Sequence, residues 1–218
     1  KAGVGSWKNS SRLIGFFGRI SYGYADRYNV LVSLRHEGSS KFGADHKWGN
    51  FPGVSAGWTI SNEEWMEGTR SWLDNLKLRA SFGITGVIPG SSYMSLLRYD
   101  YDTSYGNFVD ASGKWSPSLT PISNANPDLR WEKSTEYNIG LDMGFFGNRL
   151  YANIDLYNKV TSDMLWEYSV PVPPNLYGYT TANVGSMSNQ GIEVLIGGTP
   201  VQTKNFEWNS TLTLAHNR

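Results

Sequence analysis

Apolar and polar residues alternate with a period of two through most of this chain. Between 75 and 85 the even positions are Leu76, Leu78, Ala80, Phe82 and Ile84, and the odd ones are Asn75, Lys77, Arg79, Ser81, Gly83 and Thr85. Between 136 and 145 the odd positions Tyr137, Ile139, Leu141, Met143 and Phe145 are apolar, set against Glu136, Asn138, Gly140, Asp142 and Gly144. Sustained alternation of this kind describes a strand with one apolar and one polar face; a helix would scatter the same residues around its circumference. Six further segments follow the pattern, with Gly18 interrupting one apolar face and Leu195 departing from another. The alternation predicts strands over 13–24, 28–36, 48–60, 75–85, 132–145, 149–160, 188–198 and 206–216.

The connections are asymmetric. Tight turns are predicted near Ala25-Asp26-Arg27, at 146–149 and at 200–205, and they alternate with long links over 37–47, 86–130 and 161–189. One further link on the short-turn side, 61–74, carries Glu63-Glu64-Trp65-Met66 and Trp72-Leu73 and is expected to contain a helical turn. A sandwich of two sheets would also alternate, but its strands average about 5–6 residues. A transmembrane strand needs about 9–11, and short turns at one end with long loops at the other belong to outer-membrane barrels. Aromatics gather where strands meet the short turns: Tyr22 and Tyr24, Trp58, Phe145, and Phe206 with Trp208. Amphipathic rings prefer the headgroup level of a membrane, although aromatics favour strands in any setting. The polar face carries Arg19, Lys77, Arg79, Glu136, Asp142 and Asp155. A Lys or Arg facing hydrocarbon would cost about 2–4 kcal/mol at the midplane, so the polar face is expected to line a wet lumen and the apolar face to meet lipid.

Composition narrows the chemistry. The chain has 218 residues, 19 basic and 19 acidic side chains and no cysteine. Neutrality leaves no electrostatic footprint for nucleic acid, and a disulfide framework or Cys nucleophile is excluded. His36, Glu37, Asp45 and His46 include metal-ligating types, but their spacing matches no tight ligand pattern, and neither a metal site nor a cofactor is expected. The acid pairs Asp100/Asp102 and Glu63/Glu64 have no accompanying nucleophile and read as solvated loop residues, so no enzyme activity is expected. The segment 93–115 is richer. Tyr99, Tyr101, Tyr105 and Trp115 stand among Asp100, Asp102, Asn107 and Asp110, a mixture that suits stacking on sugar faces beside hydroxyl acceptors, or packing against neighbouring loops or a partner.

Several stretches, in order, carry a resemblance. They include Leu13-Ile14-Gly15-Phe16-Phe17-Gly18-Arg19-Ile20, Arg35-His36-Glu37-Gly38-Ser39-Ser40-Lys41-Phe42-Gly43 and Trp48-Gly49-Asn50-Phe51-Pro52-Gly53-Val54-Ser55-Ala56-Gly57-Trp58. Leu76-Lys77-Leu78-Arg79-Ala80-Ser81-Phe82-Gly83, Asn126-Pro127-Asp128-Leu129-Arg130-Trp131-Glu132 and Tyr137-Asn138-Ile139-Gly140-Leu141-Asp142 follow. The series ends with Asn183-Val184-Gly185-Ser186-Met187-Ser188-Asn189-Gln190-Gly191-Ile192-Glu193 and Asn205-Phe206-Glu207-Trp208. Together these resemble the SusC/RagA family of TonB-linked outer-membrane transporters.

The resemblance implies an all-β fold, an antiparallel up-and-down meander that is part of a transmembrane β-barrel and is open over this stretch. Residues 1–218 would be a partial barrel domain, with the plug, the N-terminal strands and the C-terminal end absent. It further implies import of glycans or peptides as nutrients across the outer membrane, a SusD-like lipoprotein as lid, and energy from the TonB complex, contacted through the absent N-terminal part. Tyr99, Tyr101, Tyr105 and Trp115 would be substrate-binding in an extracellular loop. Tyr22, Tyr24, Trp58, Phe145, Phe206 and Trp208 would lie at the membrane interface. A second reading from the residues is a soluble β-rich carbohydrate-binding module. The two differ in facing: a sandwich buries Leu76, Leu78 and Phe82, whereas a barrel wall leaves them uncovered.

Overall fold

The computed structural model describes residue 6 and residues 8–218, with the backbone alone for 102–107. Twelve strands follow in chain order: β1 Leu13–Tyr24, β2 Tyr28–Ser39, β3 Trp48–Thr59, β4 Leu73–Val87, β5 Arg98–Val109, β6 Trp115–Ser123, β7 Glu132–Phe145, β8 Leu150–Ser162, β9 Leu165–Ser169, β10 Tyr179–Asn183, β11 Ser186–Gln202 and β12 Glu207–Asn217. Eight of them form one antiparallel sheet in the order β1-β2-β3-β4-β7-β8-β11-β12. These are the eight strands that the alternation predicts, joined as a meander. The link 61–74 contains two 3-10 turns, Ile60–Asn62 and Glu64–Thr69.

The long links differ from expectation. Both 86–130 and 161–189 carry hairpins of their own, β5–β6 and β9–β10, each a separate two-stranded sheet. The segment 93–115 is therefore largely strand rather than loop. Its Tyr99-Asp100-Tyr101-Asp102 run does alternate, but so many Asp, Asn, Ser and Gly residues surround it that the pattern reads as a connection.

Register makes the two faces continuous. One row of Cα partners crosses the whole sheet through Tyr24, Tyr28, Trp58, Leu78, Leu141, Ile154, Val194 and Leu214. A neighbouring row on the other face runs through Gly23, Asn29, Gly57, Arg79, Gly140, Asp155, Glu193 and Ala215. The apolar face is not covered by a second sheet. Leu78 and Ile139 are 38% and 56% exposed, and Leu76, Phe82, Leu141, Ile154 and Val194 are half-buried by their neighbours within the sheet. That facing contradicts the soluble-module reading, which requires these side chains in a core. The sheet is also open: β1 pairs with β2 and β12 with β11, and the two outer strands do not meet.

The buried core lies at the long-loop end. Phe42, Phe51, Leu129 and Trp131 form it, with Ile84, Met94 and Leu165 packed against them. Trp131 stacks at a tilt on Phe42 and edge-on to Phe51, and its indole N–H donates to the Lys47 carbonyl at 3.0 Å. Gly43 permits the closest approach, since a Cβ there would fall 1.6 Å from the Pro127 carbonyl oxygen. Its own N–H donates to the Leu129 carbonyl at 2.9 Å. This core joins the β2–β3 link to the turn at 126–131 and gives the long loops a fixed base.

Candidate ligand-binding platform

Above that base, three asparagines tie the two longest links together. Backbone groups outside sheets need partners, and side-chain amides can supply both a donor and an acceptor. Asn124 Nδ2 donates to the carbonyls of Tyr177 and Tyr179 at 2.6 and 2.9 Å, while its Oδ1 accepts from the Leu176 and Tyr177 N–H groups. Asn126 Nδ2 donates to the Thr181 carbonyl at 2.7 Å. Asn183 accepts from the Arg130 N–H and donates to the carbonyls of Arg130 and Asp163. An Arg130–Asp163 ion pair at 2.6 Å adds a charged clasp.

Between the tied links lies a cavity of about 540 Å³ whose lining includes Arg98, Asn124, Glu167, Tyr177 and Tyr179. That volume falls within the range of small-ligand sites, about 300–1,000 Å³. The cation, the anion and the two phenols can meet amides, carboxylates or hydroxyls in a ligand, while the Asn124 amide is already taken up by the backbone of 176–179. None of these five lining residues is among the aromatics singled out from sequence. The Tyr177-Gly178-Tyr179 run beside a proline-rich stretch was the available signal.

The four aromatics assigned to substrate sit elsewhere, on the β5–β6 hairpin, although Tyr93 at the start of the same segment does line the cavity. Tyr99 pairs with Pro121, and Tyr101 with Leu119. Alternation along β6 puts Trp115, Pro117, Leu119 and Pro121 on that same face. The face is bare: Tyr101 and Trp115 are each 68% exposed. Asp100, Ser116, Ser118 and Thr120 occupy the opposite face. The structure thus brings Tyr99, Tyr101 and Trp115 together on one surface, but outside the cavity. The Tyr105 side chain lies outside the described residues. The hairpin turn is held by Asp110, whose Oδ1 accepts from Ser112 Oγ at 2.6 Å and from the N–H groups of Ser112 and Lys114. These donors, the Ser112 hydroxyl foremost, hold its carboxyl below the usual carboxylate range.

At the short-turn end the aromatics meet Glu63, which the sequence reads as a solvated loop acid but which is buried, because Tyr28, Trp58 and Arg27 close around its carboxylate. Tyr28 and Trp58 stack with centroids 6.4 Å apart, and both donate to one oxygen of Glu63, at 2.6 and 2.9 Å. Arg27 bonds the other oxygen at 3.2 Å. The Tyr28 hydroxyl, then the Trp58 indole, hold the largely buried Glu63 carboxyl below its ordinary range. Tyr22 and Tyr24 lie on the same face as Trp58, Phe145 stacks on Trp72 at 6.1 Å, and Phe206 and Trp208 are exposed at the last turn.

The polar face holds an ion cluster spanning three strands. Arg79 Nε and Nη2 bond the two oxygens of Asp142 at 2.7 and 2.8 Å, and Nη2 also reaches both oxygens of Asp155 at 3.2 Å. Asn153 donates to Asp142 at 2.7 Å. Gly140 lies between Arg79 and Asp155 in the register, and its missing side chain is what lets them touch. The metal-ligating types of the β2–β3 region are dispersed by contrast. His36 stacks on Trp48 and bonds Asn50 on the apolar face, Glu37 pairs with Arg35 on the other, and His46 stands 3.7 Å from Asp128.

Comparison with known proteins fits this architecture. A family model described as "TonB dependent receptor-like, beta-barrel" matches residues 3–217. TonB-dependent receptor SusC of Bacteroides thetaiotaomicron is 34% identical over 213 residues, covering 97% of this chain and 21% of that protein. TonB-dependent receptor P39 of Formosa agariphila is 35% identical over 215 residues, covering 98% and 20%. The RagAB peptide importer in its "open-open" state superposes with a TM-score of 0.84 at 30% identity, covering 95% of this chain and 22% of that one. A siderophore receptor, PirA of Pseudomonas aeruginosa, shares the fold at 14% identity and a TM-score of 0.59. The chain spans about a fifth of the length of the curated relatives it matches. With a family match running nearly from end to end over a sheet that is apolar on one face and polar on the other, the chain belongs to the β-barrel of the TonB-dependent receptors and lies in the outer membrane.

Proposed function

We propose that this chain is a partial barrel domain, a section of the wall and extracellular loops of a TonB-dependent importer that brings glycans or peptides across the outer membrane. In this reading the apolar face meets lipid, the Arg79–Asp142–Asp155 face lines the lumen, and the loop platform meets substrate at the extracellular opening. Tyr22, Tyr24, Trp58, Phe145, Phe206 and Trp208 sit at membrane interfaces. The protein acts by binding and passage, without catalysis. Energy reaches it through the TonB complex, with no residue of this chain assigned to that contact.

The observation that carries the proposal is the bare apolar face of β5–β6, where Tyr99, Tyr101 and Trp115 stand exposed on a platform otherwise tied down by asparagines. Flat exposed rings of this kind suit the face of a sugar or a peptide side chain, and they equally suit a SusD-like lipoprotein closing over the opening. The test replaces Tyr99, Tyr101 and Trp115 together by Ala in the full-length transporter. Calorimetric binding to a panel of oligosaccharides and oligopeptides, and co-purification of the lipoprotein, are then measured. A loss of substrate binding assigns the face to substrate, and a loss of co-purification alone assigns it to the lid. If neither changes, this assignment of the platform is wrong.

A further inference from the structure

Beside the turn that joins β7 to β8, the apolar face has a dent of about 490 Å³. Its walls are Phe146, Leu150, Ile196 and Leu212, all exposed, and its floor is Gly198 and Ser210. Two features of the local chain create it. Gly198 and Ser210 are register partners on this face, so two small side chains fall side by side among large ones. Immediately after them the β11–β12 register shifts between Gly198 and Val201, and a bulge of this kind kinks a strand locally.

Arg149 stands at the rim. Its backbone carbonyl accepts from the Thr199 N–H at 2.8 Å, fixing the residue next to the bulge. Among the described residues its guanidinium reaches only the carbonyls of Thr199 and Pro200, each at 3.4 Å. A guanidinium has five N–H donors, so most of this one's capacity is unused, and among the described residues it forms no salt bridge. Asp74, the acid serving the same turn, instead accepts from the Asn148 N–H at 3.0 Å. A cation therefore stands over an apolar hollow at the short-turn end, which in outer-membrane barrels is the periplasmic end. At that level a membrane offers phosphate groups, each joined to hydrocarbon chains.

We infer that this dent is a binding site for a glycerophospholipid of the periplasmic leaflet, with its phosphate on Arg149 and an acyl chain lying between Leu150, Ile196 and Leu212. Guanidinium–phosphate pairing is charge-assisted and can be bidentate, and the small floor residues let a chain sit deeper than on the flat wall around it. A partner protein fits less well, because the dent faces the bilayer.

The test uses the full-length transporter, delipidated in detergent and examined by native mass spectrometry. The probes are dioleoylphosphatidylglycerol, dioleoylglycerol as the same chains without phosphate, and inorganic phosphate. Phosphatidylglycerol is expected to remain bound, with the other two retained far less. Arg149→Gln should weaken retention about tenfold or more, as expected for loss of charged hydrogen bonds. Ser210→Leu, which fills the floor with a side chain suited to a lipid-facing wall, should weaken it while leaving heat-modifiable gel migration unchanged. It therefore carries the test even if Arg149→Gln fails to assemble. Equal retention by Ser210→Leu and the unmodified protein, or equal retention of dioleoylglycerol and phosphatidylglycerol, would overturn the inference.

Discussion

Replacing Gly140 by Ala should cut an ion bridge between the two strands on either side of it. A Cβ at position 140 would lie 2.6 Å from Arg79 Nη2 and 2.6 Å from Asp155 Oδ1, closer than real Cβ contacts allow. The backbone is held by ladders to β4 and β8, so the side chains must give way. Arg79 can rotate away while keeping its bidentate hold on Asp142, but its 3.2 Å contacts to Asp155 are then lost. Asp155 is 24% exposed at the side chain, so water can partly replace the guanidinium. The cost should fall between that of an exposed ion pair, about 0–1 kcal/mol, and that of an unsatisfied buried group, about 1–3 kcal/mol, which points to about 1–2 kcal/mol. The assay is a double-mutant cycle on the full-length barrel in detergent, with Gly140→Ala, Asp155→Asn and both together, reading the folded band on gels across a urea series. If the bridge is the mechanism, Gly140→Ala costs little once Asp155 has been neutralised. The same cost in both backgrounds would refute it and assign the effect to the backbone.

Other expectations can be measured alongside. Phe82→Arg, on the lipid-facing side and four residues along β4 from the interfacial Trp58 level, should cost about 2–4 kcal/mol near the midplane and reduce the folded fraction in lipid vesicles, whereas Ser81→Arg on the lumen face should not. Leu129, fully buried in the loop core, should cost about 2–5 kcal/mol when replaced by Ala, seen as faster proteolytic cutting within 87–131 while the sheet stays intact. Because the Glu63 carboxyl is held below its ordinary range, its contribution is complete above the unfolded carboxylate value and is lost as pH falls through the lower folded value. Thermal midpoints should therefore fall on the acid side, and Glu63→Gln should flatten that limb.

What could be read from the sequence follows from how far apart the interacting residues lie. Strand alternation is a relation between residues two apart, so all eight wall strands and their facing were legible, including the exposed Leu78 and Ile139. The β9 and β10 strands, at five residues each, are too short for the period to stand out between prolines and glycines. Glu63 read as one of two adjacent acids because its partners Tyr28 and Arg27 lie 35 and 36 residues away. Asn124, Asn126 and Asn183 carry no sequence signal for their role, because each bonds backbone more than 50 residues distant. Such contacts depend on register, and a tight turn helps to set it. Between β7 and β8, residues 146–149 close the hairpin with Phe146, Gly147 and Asn148 all at positive φ, which pairs Phe145 with Leu150 and, further along, Gly140 with Asp155. A one-residue slip of that pairing would move every side chain of one strand relative to its partner's faces. It would also take Asp155 away from Arg79 and Leu150 away from the dent beneath Arg149. The lumen bridge and the lipid site are thus fixed by the same four-residue turn, and neither is visible until that turn has paired the strands.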